Sequence, residues 1–140
     1  MASEATDLVL RFLKEEFDNK NVDAMDELID ANAVDRTPWP GYGTDRDEAK
    51  RGLRDFITAF PDVHVTVDDV ITQGNKVVIR STMSGTNTGE FMGMPPTGKR
   101  VVDIGGIDIL EVKGSKLGDH WGYVDTTSMM TQLGLLPPMG

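Results

Sequence analysis

The feature that most constrains the fold of this 140-residue chain is a change of period at Pro61. Before it, apolar residues recur every three or four positions, and after it they alternate with polar ones. Ala5, Leu8, Val9, Phe12, Leu13 and Phe17 predict an amphipathic helix from Ser3, a plausible N-cap, to about Phe17. A shorter helix is expected from Asn21, with Met25, Leu28 and Ile29 inward. The segment 35–43 holds two prolines and two glycines and reads as a loop. Thr44 with Asp47 resembles a capping box, opening a helix whose stripe is Ala49, Leu53, Phe56, Ile57 and Phe60.

Beyond Pro61, Val63, Val65 and Val67 alternate with His64, Thr66 and Asp68, as in a half-buried strand. Gly74-Asn75 predicts a tight hairpin turn into a strand over 76–84. A third strand is expected to start near Gly85 and enter the 93–98 loop. Strands over about 100–112 and 116–124 then flank Lys113-Gly114-Ser115, and a short helix with Met129, Met130 and Leu133 precedes Pro137-Pro138. Helices followed by an antiparallel meander define an α+β class, with no βαβ alternation. A twisted, curved sheet with helices across its concave side encloses space at its open end, a natural small-molecule site. No repeat or linker interrupts the chain, so one domain spanning 1–140 is expected, and that length suffices to bury roughly two-thirds of the unfolded chain's surface.

Charge and composition narrow the partners. With 14 basic and 23 acidic residues the net charge is −9, which repels phosphate backbones and anionic membranes. The absence of cysteine removes disulfides, thiolate nucleophiles and cysteine metal sites. His64 and His120 lack metal-ligand spacing, and no Gly-rich phosphate loop precedes a helix, so neither metal nor cofactor is expected. Asp7, Arg11, Lys14 and Glu15 interrupt the apolar residues near the start, and no stretch is long enough to span a bilayer, so a cytoplasmic location is expected.

Several motifs in the second half are specific: Gly85-Thr86 ahead of Gly89-Glu90-Phe91, the Pro95-Pro96-Thr97-Gly98 turn, the lysine-flanked hairpin, His120-Trp121, and Gln132-Leu133-Gly134. With Phe60-Pro61-Asp62 and the Pro38–Gly41 loop upstream, they resemble the SnoaL-like polyketide cyclases, or ester cyclases, over nearly the whole chain. The resemblance implies a nuclear-transport-factor-like cone fold and metal-free, cofactor-free aldol ring closure of polyketide esters, with an Asp and a His central. This chain departs from the family pattern in three places. Gly122 stands where cyclases commonly have Asp, Asp108 where a His is frequent, and Asn87 ends the motif that usually reads Gly-Thr-His. Hydroxylation, isomerisation or hydration in the same pocket, or a pocket that only binds, therefore stay open. The Asp-Arg-Asp set of limonene epoxide hydrolases is disfavoured, since no Arg falls where the shared turn would place it.

If the hairpin after Lys113 has an odd loop centred on Ser115, Asp108 faces Gly122 with His120 one diagonal step away. A carboxylate beside an imidazole in an apolar pocket is a workable general base, and Gly122 would leave room for a ring. The same two residues could form a merely structural hydrogen bond, or lie on the outer face after a one-residue slip. Asn87 is a possible oxyanion donor or a turn cap. Asp35 and Arg36 could hold a polar substrate group or form a surface ion pair. Trp39, Phe56, Phe91, Met92 and Met94 offer surface for a flat ligand, though a core role is the simpler account for most of them. Trp121 and Tyr123 fall out of phase with His120, which predicts an exposed aromatic face suited to a homodimer or higher homo-oligomer.

Overall fold

The structure, a computed structural model, describes residues 3–137; Pro138 of the expected terminal stop lies outside them. Helix α1 (Glu4–Leu13) starts where the Ser3 side chain accepts the Thr6 amide, and it buries Val9 and Phe12. It passes into a π-helical turn, Lys14–Asp18, in which the Asn19 amide donates to Lys14 O at 2.9 Å. Helix α2 (Ala24–Leu28) buries Met25 and Leu28. Helix α3 (Arg46–Ala59) is capped by Asp45, whose carboxylate accepts the Glu48 amide, in place of the Thr44 cap expected from sequence. Asp45 has the extended backbone an N-cap needs, and its oxygen stands one residue closer to the helix.

Strands β1 (His64–Gln73), β2 (Lys76–Thr86), β3 (Arg100–Lys113) and β4 (Lys116–Val124) form one antiparallel meander in sequence order. The expected extra strand near Gly85 does not exist. Strand β2 continues to Thr86, still paired with β3 at Gly85↔Val101 and Thr86↔Arg100. Register shifts occur beside Asp68, Ser84 and Glu111, and the second places Asp103 at φ 54°. Such bulges add local twist and bend the sheet around the helices. Helix α4 (Thr126–Gln132), capped by Asp125, closes the far end. There Gln132 accepts the Val102 amide and donates to Val102 O, satisfying backbone that the bulge leaves unpaired.

Two buried clusters hold these layers together. One joins Val9, Phe12, Met25, Leu28 and Leu53 to Val77, Ile79, Leu110 and Leu117 on the concave sheet face. The other gathers Phe60, Val63, Phe91, Val101, Ile104, Met129 and Leu133 at the opposite end. Between them a cavity of about 260 Å³ stays open. The segment after α2 runs parallel along the edge of β4, through bridges Ile29↔Leu117 and Asp35↔His120, so that edge is covered. As expected, Trp121 and Tyr123 lie on the opposite sheet face. They continue rows running across the strands, Ile71, Val78, Ile109, Trp121 and then Asp69, Arg80, Ile107, Tyr123.

Candidate active site

The register of β3 against β4 builds the centre of the site. Asp108 pairs with Gly122, and His120, two residues before Gly122, projects from the same concave face. The expected pairing is present, but its cause differs. The hairpin turn has two residues, Gly114-Ser115, with Lys113 opposite Lys116, and an extra residue in β4 near Gly118-Asp119 supplies the shift assigned to an odd loop. A Cβ added at Gly122 would lie 2.6 Å from Asp108 Oδ1 and 2.9 Å from His120 Cε1. The glycine thus serves the contact between these side chains and does not itself form part of the cavity wall.

His120 is held from both sides. Its Nε2 is 2.7 Å from Asp108 Oδ1, and its Nδ1 is 3.2 Å from Asp35 Oδ1. Asp35 is fixed in turn: its carboxylate accepts the Thr37 amide at 3.1 Å, and its own amide donates to Thr44 O at 2.8 Å. Two carboxylate acceptors require a proton on each ring nitrogen, so the arrangement selects the imidazolium. Burial alone lowers the His120 pKa, but the hydrogen bonds and charges of Asp108 and Asp35 outweigh it and push it up to about 10. For Asp35, burial raises the pKa, and the His120 hydrogen bond and charge overcome that to leave it lowered. With both ring nitrogens engaged, His120 has no free acceptor for a further proton, and the open oxygen of the pair is Asp108 Oδ2.

A fourth group, absent from the sequence reading, is Glu16 in the π-helical turn. It shares the cavity wall with Asp35, Asp108 and His120, among Phe12, Leu13 and Phe17. Desolvation, followed by the charge of Asp108, pushes its pKa up to about 8, against a smaller lowering by His120. A signal for it existed in the sequence. Glu16 stands four residues after Phe12 and seven after Val9, so a charged residue occupies the buried stripe of the first helix.

The remaining expected site residues separate cleanly. Trp39 and Phe56 line the cavity, joined by Met83, Leu53, Ile104 and Met129. Arg36 does not: its guanidinium turns to Asp119, with Nη2 2.7 Å from Oδ2, because neighbouring residues along the β4 edge point to opposite sides. Asn87 is 1% exposed and its amide is fully engaged. Its Nδ2 donates to Ala59 O at 3.3 Å and Gly89 O at 2.9 Å, while its Oδ1 accepts the Thr97 amide at 2.8 Å. The oxyanion role expected for it is therefore replaced by joining the end of α3 to the Pro-Pro-Thr-Gly loop. Phe91 is core, packed edge-on against Phe60 with ring centroids 5.4 Å apart. Met94 packs against that same cluster and Met92 sits at the surface, so neither forms cavity wall.

Among the described residues no three side chains form a metal-holding cluster, and no helix is long and apolar enough to cross a membrane. The site is an apolar chamber with His120, Asp35, Asp108 and Glu16 at its polar wall. The family model described as SnoaL-like polyketide cyclase matches residues 7–133. TsrD from Streptomyces laurentii is similar in structure, with 26% identity, coverage of 95% of this chain and 96% of that one, and a TM-score of 0.82. IdmH, a candidate polyketide cyclase from Streptomyces antibioticus, is 27% identical over 94% and 99% of the two chains, with a TM-score of 0.80. AclR from Streptomyces galilaeus, a candidate hydroxylase, shares the fold at 23% identity, 98% and 85% coverage and a TM-score of 0.84. No curated protein matches the chain.

Proposed function

The chain belongs to the SnoaL-like polyketide cyclase family, and from that premise we propose that it is a cofactor-independent acid/base enzyme acting on an apolar, carbonyl-bearing small molecule, most simply by intramolecular aldol cyclisation. The observation that supports this reading is the clamped His120 at the polar wall of an otherwise apolar cavity. Asp108 is the base. Its Oδ1 binds the imidazolium, while its Oδ2 has no protein partner among the described residues, and its side chain keeps 32% of its surface accessible beside the cavity. Asp35 is more enclosed, at 22%, and its role is to hold the ring.

The chemistry follows from the charges. A ketone or ester enters the chamber and presents a carbon next to its carbonyl to Asp108, which removes the proton. The imidazolium holds that carboxylate in place and offsets the negative charge growing on the substrate. The resulting enolate carbon then attacks a second carbonyl folded against it, as the confined space favours. The apolar walls keep water away from the carbanion-like centre. With two carboxylates and one imidazolium at the polar wall, the site favours neutral substrates over carboxylates and phosphates.

Exchange of deuterium into the α-carbon of 1-tetralone, a bicyclic ketone, tests the reading without knowledge of the natural substrate. The protein is expected to accelerate exchange in D2O, and D108N to lose that acceleration while remaining folded. Equal exchange rates for the wild type and D108N would overturn the assignment, and binding without any exchange would favour a pocket that only holds its ligand.

A further inference from the structure

Removing a proton beside a carbonyl leaves charge on the carbonyl oxygen, and that oxygen needs a donor. Both N–H groups of His120 are bound to carboxylates, and the Asn87 amide is engaged outside the cavity. Arg46 reaches the wall, but its Nη1 donates to Asp26 O and Ile29 O, and its Nε faces Asp26 Oδ1 at 3.6 Å. The donors left at the wall are the hydroxyls of Ser81, on the same sheet wall as Asp108, and Thr44, the Trp39 indole, Arg46 Nη2, and the carboxyl of Glu16 on the helical wall.

The structure favours Glu16. Its carboxyl has no protein hydrogen-bond partner among the described residues, and the half-buried side chain continues the stripe of Phe12 into the cavity wall. It is carried by a π-helical turn, a local irregularity common at functional sites, where a regular helix would set its side chain at a different angle. We propose that the Glu16 carboxyl donates its proton to the carbonyl oxygen of the bound substrate while Asp108 takes the proton from the adjacent carbon. This rests on the acid/base reading above and completes it.

The step balances. The C–H bond breaks, its proton goes to Asp108, and its electron pair becomes the new C=C bond. The C=O π pair moves to oxygen, which takes the Glu16 proton and gives an enol. When the enol carbon attacks the second carbonyl, the enol proton returns to Glu16 as C=O reforms, and the proton on Asp108 passes to the new alkoxide. Both side chains end as they began.

The surroundings of Glu16 keep it in the acid form. Asp108 and Asp35 face it and oppose ionisation, while His120 favours it more weakly than burial and Asp108 together oppose it. On the packed elements, Asp26 of α2 is taken by Lys50 and Arg46, and Glu27 by Arg11. Asp45 of α3 caps its own helix, and in its own turn Glu15 accepts Asn19 and Asn21. On β1, Asp69 pairs with Arg80 on the outer sheet face. A carboxyl in the cavity wall whose pKa is raised toward neutrality is a stronger donor than a hydroxyl or an indole, and its acidity suits proton transfer at working pH.

The test uses the full chain and 1-tetralone exchange. E16L is expected to lower the exchange rate about 10²–10³-fold, the usual loss for one oxyanion donor. E16Q keeps an N–H donor and is expected to stay within about tenfold of wild type and to lose the decline in rate above about pH 8 that is expected of the wild type. Of the other wall donors, the one on Asp108's own sheet wall is tested by S81A, and the hydroxyl across the cavity by T44V, each expected to remain within about threefold. An E16L rate near wild type, or a larger loss in S81A or T44V than in E16L, would overturn the proposal while leaving Asp108 as base. Loss of the D108N effect would instead remove the underlying reading. Independently of exchange, the 13C resonance of the Glu16 carboxyl in the free protein should titrate near pH 8; a midpoint near 4.5 overturns the proposal.

Discussion

Substitution of Gly122 by alanine isolates the geometry on which the site depends. The added methyl would stand 2.6 Å from Asp108 Oδ1 and 3.0 Å from His120 Nε2, inside the space the two groups use to meet. Both obstructing atoms are at the ends of side chains, so the strand accommodates the methyl and the Asp108–His120 hydrogen bond is lost. A charge-assisted bond of this kind contributes about 1.5–3 kcal/mol, while replacing a strand glycine by alanine returns about 0.5–1 kcal/mol of backbone entropy. With both side chains about a third accessible the bond belongs at the low end, about 1.5 kcal/mol, so the net loss of stability is about 0.5–1 kcal/mol. The bond's own energy, without the backbone contribution, equals roughly one pKa unit, so His120 should fall from about 10 toward ~9. Imidazole nitrogen shifts followed against pH measure this directly, with His64 on the far sheet face as the second signal. The control is Gly105→Ala, in the neighbouring strand β3, where an added Cβ meets nothing within 4 Å and φ is not positive. An unchanged His120 titration in G122A, or equal destabilisation by G105A, would refute the argument.

Stability should decline with rising pH across the neutral range. The His120 contribution is complete below its unfolded pKa of 6.5 and is lost as pH climbs through about 10, and Glu16, at 4.5 unfolded and about 8 folded, imposes an increasing cost over that lower interval. Thermal melts from pH 5 to 10 should show the decline, and E16L should flatten its lower part; a stability maximum near pH 9 would contradict both assignments. Replacing Asn87 by alanine strands Gly89 O and the Thr97 amide and should cost ~2–4 kcal/mol in urea unfolding. Because Asn87 stands outside the cavity, N87A should keep its exchange rate per folded molecule. The apolar rows on the outer sheet face, with Tyr123 63% and Ile107 46% exposed, lead us to expect self-association. Light scattering should find a dimer or larger assembly that I107D dissociates, and a monomeric wild type would remove that expectation.

Much of the fold was legible because period and punctuation are local. The stripe Val9, Phe12 and the alternation Val63, Val65, Val67 each identify an element without reference to the rest of the chain. Errors arose where pairing partners decide. Whether Gly85-Thr86 ends one strand or starts another depends on Val101 and Arg100 across the ladder. The cap of α3 shifted from Thr44 to Asp45 because backbone angles choose between adjacent acceptors. The site was half legible for the same reason. Asp108 and His120 are twelve residues apart on one hairpin, so the sequence places them on adjacent strands, but the extra residue near Gly118-Asp119 is what brings them to one face, and Asp35 reaches His120 from 85 residues away.

Sequence alone determined the helix-then-meander order and the hairpin that carries Asp108 and His120, since these depend on spacing within short stretches, while the bulge in β4 that sets Asp108 opposite Gly122 was decided by strand pairing. Tertiary structure decided how those residues are charged. The approach of Asp35 along the β4 edge turns a carboxylate–imidazole pair into an imidazolium held between two carboxylates. Closure of α1 over the sheet strips water from Glu16 and keeps its proton on. Protonation depends on which charges and how little solvent surround a group in space, and neither is written in the neighbouring letters of the chain.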